Sequence, residues 1–494
     1  MLAWVALVPL LIKTWLMSPR ATAGHFFVAG FVFHLILLHW LMANVYWAGG
    51  WAFTGYVALC AILGGYWALV GGCWAFTLPL GGFPRAVAFA ACWVIMEWLQ
   101  ARLFTGFGWS ALGYTQGNNA AYVQLASIAG TSILAAGISL FNGLLAAVVY
   151  GHVDRLRAVY AVCALAVIVS AHVAGRALLA DADPQSKPLT LALVQPDFPL
   201  EMKWDEEYTA EMIRNTAQKS RLLASGLDVD LIVWPESLVM DDLDREDIHT
   251  EITSLAIDTG ASVFTGAHRA DPDNGGALNS SYLIGPDGSV GEHYDKIHLA
   301  PFGEYVPFGE YVPIITKVVP AIGDIRPGNE PKTFQVAGRT FGPLICFEVL
   351  FAPMAEKLRK SGADFLVVIT NLGWFGASSA LPQEFEMARM RAIETRLPVV
   401  HSTNTGITGV FDPYGRFKGV NTIFDRRGTV YRLKDDFPIA DTVMYRFGGV
   451  FELPANAPRP FHVGETPKLV LAVALAAGVL ALARRRLRAN KTSE

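Results

Sequence analysis

Long apolar runs fill both ends of this 494-residue chain and leave only its middle polar. A helix that crosses a bilayer needs roughly 20 mostly apolar residues. Six stretches before residue 180 are candidates, at about 1–17, 25–44, 52–78, 86–104, 120–150 and 158–178. A seventh runs from about 467 to 483. The stretches at 52–78 and 120–150 exceed one span, which implies tilt or partial exit from the bilayer. Up to Leu178 the only acidic residues are Glu97 and Asp154. With 53% hydrophobic and 17% charged residues, the chain is too apolar for an ordinary soluble protein.

Lys and Arg fall in alternate loops between these spans. Lys13 and Arg20, then Arg85, then Arg155 and Arg157, and finally Arg484, Arg485, Arg486 and Arg488 mark one side. The loops Asn44–Trp51 and Thr105–Ala120 carry neither residue, and Arg102 and Arg176 are minor exceptions. Basic loops are cytoplasmic by the positive-inside rule, so the polar region faces the other compartment. Seven spans with a cytoplasmic end place Met1 outside. Two readings stand: a further N-terminal helix is missing from this chain, or the N-terminus lies outside. The first run has no charged region before it and no small-residue cleavage site after it, so it does not read as a secretory signal. The net charge is only −4 and basic runs occur only at the end of the last helix, so no nucleic-acid partner is expected.

From Lys187 onward, short β-rich runs alternate with helical stretches. Strands are expected at 189–195, 230–234, 262–267, 280–284, 290–294, 364–370 and 398–402. Helices are expected at 208–225, about 243–259 and about 383–396. Continuous Val/Ile/Leu runs bounded by helices predict a sheet covered by helices. Chemistry in such folds collects at strand ends. The expected domains are a six-span transmembrane region over 1–180, an extracytoplasmic catalytic domain over 185–460 and a C-terminal transmembrane helix over 467–485.

Cys346 is the sole cysteine of the polar region; Cys60, Cys73, Cys92 and Cys163 lie in apolar segments. A lone thiol there makes neither an internal disulfide nor a multi-cysteine metal site. Its context, Pro343-Leu-Ile-Cys346-Phe-Glu348, reads as a strand entering a turn. Two other strand ends bring matching chemistry: Trp234-Pro-Glu236 and Tyr294-Asp-Lys296-Ile-His-Leu-Ala-Pro-Phe-Gly-Glu304. A thiol needs a base or a cationic neighbour before it attacks. A glutamate can take its proton, and a lysine can stabilise a developing oxyanion. Singly, these residues are ordinary: a turn glutamate, a surface lysine, a packed cysteine. Their order and contexts are not.

In that order the middle region resembles the nitrilase superfamily, whose triad is Glu-Lys-Cys. Asn371-Leu-Gly-Trp374-Phe375-Gly376 and Met387-Ala-Arg389-Met-Arg391-Ala-Ile-Glu394 match later landmarks. With apolar helices on both sides, Glu97-Trp-Leu99 and Thr105-Gly-Phe-Gly-Trp109 included, the whole chain resembles the bacterial apolipoprotein N-acyltransferase family. The resemblance implies an α-helical transmembrane bundle plus an α/β nitrilase-like domain, an α-β-β-α sandwich. It implies Cys346 as nucleophile, Glu236 as general base, Lys296 as oxyanion stabiliser and Glu304 as the residue holding Lys296 and the base in register. The Phe347 N–H would complete the oxyanion hole and Glu348 would shape the acyl site. The chain departs from the family pattern at Leu372, where an acidic residue is frequent, at Phe347, where tyrosine is, and near Glu384, where histidine is. The family's first membrane helix is also not evident.

The reaction so implied moves a fatty acyl chain from a phospholipid to the N-terminal amine of a diacylglyceryl-cysteine lipoprotein, through a ping-pong thioester on Cys346. It needs no cofactor or metal, and the histidines show no ligand spacing. The enzyme would sit in the bacterial inner membrane with its catalytic domain facing the periplasm. It would act as a monomer, because membrane helices at both ends hinder the oligomers common among soluble nitrilases. A membrane-tethered nitrilase-like amidase or hydrolase, and a non-enzymatic membrane scaffold, are the alternatives. Trp234 and Trp374 are either core residues or contacts for an acyl chain. Glu97, an intramembrane carboxylate, is a functional candidate or the partner of Arg102. The tandem repeat Phe302-Gly-Glu-Tyr-Val-Pro307, Phe308-Gly-Glu-Tyr-Val-Pro313 makes Glu304 and Glu310 locally alike, and its spacing from Lys296 favours Glu304. The Pro- and Gly-rich segment 300–323 is either a packed loop or a mobile arm gating the site.

Overall fold

The computed structural model describes residues 2–45, 49–104, 106–150, 154–179, 189–199, 202, 206–239, 243, 245–272, 275–301, 303–305, 325–419, 422–424, 430–432, 447–453 and 462, with positions 468, 473, 475, 478 and 482. Two compact units emerge. One takes Met1–Met42, Gly50–Asp181 and Arg459–Glu494; the other takes Ala43–Gly49 and Ala182–Pro458.

Five helices of the first unit are long and apolar enough to cross a membrane. They are α2 (Pro19–Leu37), α3 (Trp51–Phe76), α4 (Gly82–Gln100), α5 (Thr131–Tyr150) and α6 (Asp154–Ala177). The first apolar run differs from expectation. It forms a 3-10 turn, Leu2–Trp4, and then α1 (Val8–Lys13), which is short for a span. Prolines explain the division: one lies in the first turn of α1, and Pro19 opens α2. The Ser18 hydroxyl caps α2 by accepting from the Ala21 N–H at 3.5 Å, so the second span starts earlier than hydropathy suggests.

The overlong run 120–150 is also not one tilted helix. Gly130, at φ 63°, ends the short helix Ala126–Ala129, and α5 begins at the next residue. Asn142 on α5 stitches the N-terminal turn to the bundle. Its amide donates to the Ala3 carbonyl at 3.0 Å and its oxygen accepts from the Leu7 N–H at 3.0 Å. Glu97 accepts from the Trp93 indole at 2.8 Å and from the Leu112 N–H at 2.7 Å. Among the described residues Glu97 forms no ion pair; Arg102 instead lies over the Trp98 ring at 4.5 Å. Most of the seventh run, 467–485, lies outside the described residues, as do Glu310 and nearly all of the repeat and arm beyond Tyr305.

The second unit holds two sheets. The first runs β14 (Val430–Arg432), β13 (Thr422–Phe424), β15 (Phe447–Glu452), β1 (Thr190–Gln195), β2 (Leu231–Val233), β3 (Ser262–Ala270), β4 (Ala277–Ile284), β5 (Val290–Asp295), with β6 (Ile325–Arg326) beside β4. The second runs β12 (Phe417–Gly419), β11 (Gly409–Phe411), β10 (Val399–Thr403), β9 (Phe365–Thr370), β8 (Arg339–Ile345), β7 (Phe334–Val336). Helices α7 (Glu206–Ala224) and α8 (Glu246–Thr259) cover the first sheet: Met212, Ile213, Ile248, Ile252 and Leu255 pack on Ile232 and Val263. Helices α9 (Ala352–Lys360) and α10 (Ala380–Thr395) belong to the second. The sheets meet face to face, with Phe264 of β3 against Phe341 of β8 at 5.0 Å and Phe334 of β7 at 5.6 Å. The layers are therefore α-β-β-α, and strands such as β1, β2 and β9 are mainly apolar because both faces are covered.

Direction decides where chemistry can gather. Strands β1, β2 and β3 are parallel, and two antiparallel pairings return β5 to their direction. Strands β8, β9 and β10 are parallel in the other sheet. The turn after β2 rests on β3: a Cβ built on Gly266 would lie 2.7 Å from the Ser237 nitrogen and 2.9 Å from the Glu236 Cα. Only glycine leaves room for that backbone. Gly266→Ala is expected to displace the Glu236–Ser237 turn and cost roughly 1–3 kcal/mol. Thermal melts of the purified chain would measure this, and an unchanged Tm would contradict the tight contact.

Candidate active site

Glu236 leaves β2 after Pro235, which has no N–H for the ladder and so ends the strand. Its carboxylate is buried and fully engaged. Oε1 accepts from Lys296 Nζ at 3.1 Å and from the Asn279 amide at 2.9 Å, and Oε2 accepts from the Asn371 N–H at 2.9 Å. The Cys346 thiol also hydrogen-bonds this carboxylate. Asn371 directly follows β9, so the second sheet supplies a donor to a residue of the first.

Lys296 directly follows β5 and is buried. Its ammonium lies between two carboxylates, donating to Glu304 Oε1 at 3.0 Å as well as to Glu236, with Glu304 Oε2 at 2.9 Å. Glu304 is fixed in turn by the Ala300 N–H at 2.7 Å. Asn279 was not singled out in the sequence, yet its one amide group bridges both carboxylates, reaching Glu304 Oε1 at 2.8 Å. It sits near the start of β4, which runs against β5, so its N-terminal end lies at the same sheet edge. An asparagine inside a strand carries no sequence signal for that role.

Cys346 follows the last residue of β8 and opens the 3-10 turn Cys346–Leu350. Its φ of 51° lies in the left-handed region, unusual for a residue with a Cβ and costing roughly 1–3 kcal/mol. Glu348 holds this bend. Its Oε2 accepts from the Ile345 N–H at 2.8 Å; its Oε1 accepts from the Ile297 N–H at 2.7 Å, the His298 N–H at 3.1 Å and the Tyr294 hydroxyl at 2.7 Å. One carboxylate thus ties the cysteine turn to the lysine loop. An aromatic row does the same: Phe347 packs edge-on against Phe351 at 5.5 Å, and Phe351 stacks on His298 at 4.1 Å. Behind them Arg391, buried and paired with Glu394 at 3.0 Å, donates to the Leu350 carbonyl at 3.3 Å.

The two tryptophans separate. Trp234 is wholly buried in the core, its indole donating to Ser220 on α7 at 2.9 Å. Trp374 is half-buried in the turn Leu372–Phe375. Leu372 is a core residue at this position.

The N-terminal domain of apolipoprotein N-acyltransferases matches residues 1–144, and carbon-nitrogen hydrolase matches residues 190–432. An apolipoprotein N-acyltransferase of Geobacter metallireducens is 33% identical over 432 residues, covering 86% of this chain and 83% of that one. The Pseudomonas syringae pv. tomato protein of the same name is 30% identical, covering 84% and 82%. The chain belongs to the apolipoprotein N-acyltransferase family. A solved amidase from Nesterenkonia sp. is also similar, at 17% identity and a TM-score of 0.37, covering 54% of this chain and 91% of that one. Family membership and the long apolar helices together make this a multi-pass bacterial membrane protein.

The charge state of this acyltransferase-family site follows from its contacts. Burial pushes the Glu236 carboxyl up, but Lys296 and the donors from Asn279, Lys296 and Cys346 outweigh it and hold the group below its ordinary 4.5. Burial alone would push Lys296 down; Glu236 and Glu304 keep it well above its usual range. Burial and then Glu236 push the Cys346 thiol well up, against the pull of Lys296. At rest the cluster is carboxylate, ammonium and neutral thiol. Burial pushes Glu348 up to about 7, against the donors from Ile345 and Tyr294.

A Glu348→Gln chain would place an amide NH2 among four donors. It is expected to lose roughly 1–3 kcal/mol of stability, read by thermal melting, together with most activity. A silent substitution would mean that the turn is held elsewhere. Glu236 also sets an acid limit. Its folded value is depressed, so its stabilisation is complete above 4.5 and is lost as pH falls through the lower folded value. A Glu236→Gln chain is expected to show a shallower fall in Tm between about pH 5 and pH 3 than the parent. Parallel curves would count against the linkage.

Proposed function

We propose that the chain transfers a fatty acyl group from a phospholipid to the N-terminal amine of a diacylglyceryl-cysteine lipoprotein, with Glu236, Lys296 and Cys346 as the catalytic triad. The observation that carries this reading is the convergence of the Cys346 thiol and the Lys296 ammonium on the one buried carboxylate of Glu236.

In the first half, Cys346 Sγ attacks the ester carbonyl carbon while Glu236 takes the thiol proton. The oxyanion gathers beside Lys296, with the Phe347 N–H as a second donor, while Glu304 holds Lys296. The carbon–oxygen bond breaks, Glu236 returns the proton to the departing lysophospholipid, and a thioester remains on Cys346. In the second half the lipoprotein's neutral amine attacks the thioester and Glu236 takes its proton. The carbon–sulfur bond breaks, and the proton returns to sulfur. This is general acid–base and covalent catalysis without metal or cofactor. Glu348 shapes the acyl site through the cysteine turn, and half-buried Trp374 is the acyl-contact candidate; Trp234 acts through packing.

The same reading puts residues 1–180 and 467–485 in the inner membrane and the catalytic domain, 185–460, on its periplasmic side. Phospholipid and apolipoprotein are the partners, the enzyme works as a monomer, and nucleic acid is not a partner. A dry site protects the thioester from water.

Incubating the full chain in detergent with phospholipid and analysing the Cys346 peptide by mass spectrometry is expected to show a fatty-acyl adduct. Cys346→Ala should abolish both halves, and Glu236→Gln should leave little acyl-enzyme. Lys296→Met should slow adduct formation by about 10²–10³-fold. No adduct, together with turnover of small amides, would favour the amidase reading; N-acylation by Cys346→Ala would eliminate the thioester mechanism.

A further inference from the structure

The triad leaves one buried titratable group beside the nucleophile unused. Glu384 on α10 is buried and turns its carboxyl toward β9 and β10. Its Oε1 accepts from the Thr370 hydroxyl at 3.0 Å, and Thr370 is within hydrogen-bonding reach of the Cys346 sulfur. Its Oε2 faces Nε2 of His401, on β10, at 3.5 Å. His401 is wholly buried, and its Nδ1 lies 2.7 Å from the Ile407 carbonyl oxygen. The Phe385 ring lies edge-on to the imidazole at 6.5 Å.

A carbonyl only accepts, so Nδ1 carries a proton. In a neutral imidazole Nε2 would then present a lone pair to a carboxylate oxygen. Among the described residues, neither Glu384 Oε2 nor His401 Nε2 has a hydrogen-bond partner. Two buried acceptors left facing each other are costly, and one proton between them satisfies both.

We propose that Glu384 and His401 share one proton and, through Thr370, act as a positioning pair for the Cys346 thiol. The pair does two things. It cancels a second negative charge beside a sulfur that must become a thiolate. It also loosens the hold of Glu384 on the Thr370 proton, so that this hydroxyl can turn its donor to the sulfur as the thiol proton passes to Glu236. The charged groups bearing on the sulfur are Glu236, Lys296 and Glu384; the groups on Glu384 itself are Thr370, His401 and the sulfur. The inference rests on the reading of Cys346 as nucleophile.

The test is alkylation of the full-length chain in detergent by iodoacetamide across about pH 6–10, following the Cys346 peptide separately from those of Cys60 and Cys163. In folded His401→Gln, whose amide cannot supply the shared proton, alkylation at neutral pH is expected to slow about tenfold and the profile to move up by about one pH unit. Adding Glu384→Gln should remove the stranded charge and recover most of the rate. An unmoved profile in His401→Gln, or a double variant as slow as the single one, overturns the proposal. Should the His401 variants fail to fold, Thr370→Val is expected to give the same displacement and Thr370→Ser to reverse it; an unmoved Thr370→Val profile overturns the proposal equally. Absence of an acyl adduct on unaltered Cys346 would instead refute the acyl-transfer reading and leave the alkylation result standing.

Discussion

The site depends on one buried ammonium. Lys296 is buried, and an unpaired charge at such depth would be prohibitive. Glu236 and Glu304 lie on it at 3.1 and 3.0 Å, and Asn279 bridges those two carboxylates. Removing any member strands another. This is why residues from β2, β4, the end of β5 and the following loop must arrive together. Buried charge networks of this kind are weak stabilisers overall but strict about geometry. That strictness suits the oxyanion contact proposed for Lys296.

Glu348 has the complementary role. Its four donors come from the cysteine turn, the lysine loop and Tyr294 of β5. Cys346 follows a strand of one sheet and Lys296 a strand of the other, so one carboxylate fixes the distance between them. It also offsets the cost of the left-handed backbone at Cys346. Arg391 closes the far end of the same turn at Leu350. The helix–sheet–sheet–helix stack thus delivers equally directed strand ends to one edge, and a few buried polar groups lock them there.

Much of this was legible in the chain. Hydrophobic runs of both kinds predicted the covered strands, and Pro235, Lys296 and Cys346 announced their strand ends. Expectation failed where local chemistry overrode average hydropathy. Prolines cut the first apolar run into a turn and the short α1, and Gly130 divided the run at 120–150. Glu97, left open between a functional role and a pair with Arg102, meets an indole and a backbone amide, and Arg102 lies over the Trp98 ring. Asn279, Thr370 and His401 were invisible for another reason. Each is an unremarkable polar residue within a strand, and its role exists only once elements distant in sequence lie side by side.

The resting charge state also constrains how such a site can work. A carboxylate and an ammonium about 4 Å apart attract by about 4 kcal/mol at an effective dielectric of 20, and a carboxylate opposes a thiolate by the same amount at that range. With two carboxylates on one ammonium, the lysine's charge is already spent, and Cys346 stays protonated. A free thiolate would be open to oxidation and to stray electrophiles. A protonated thiol beside a committed base is not, until a carbonyl arrives. In the acyl transfer proposed above, an oxyanion taking a share of Lys296 would weaken the hold of the ammonium on Glu236. The carboxylate would then become more basic as the thiol proton leaves, which would couple the basicity of Glu236 to the progress of that proposed reaction.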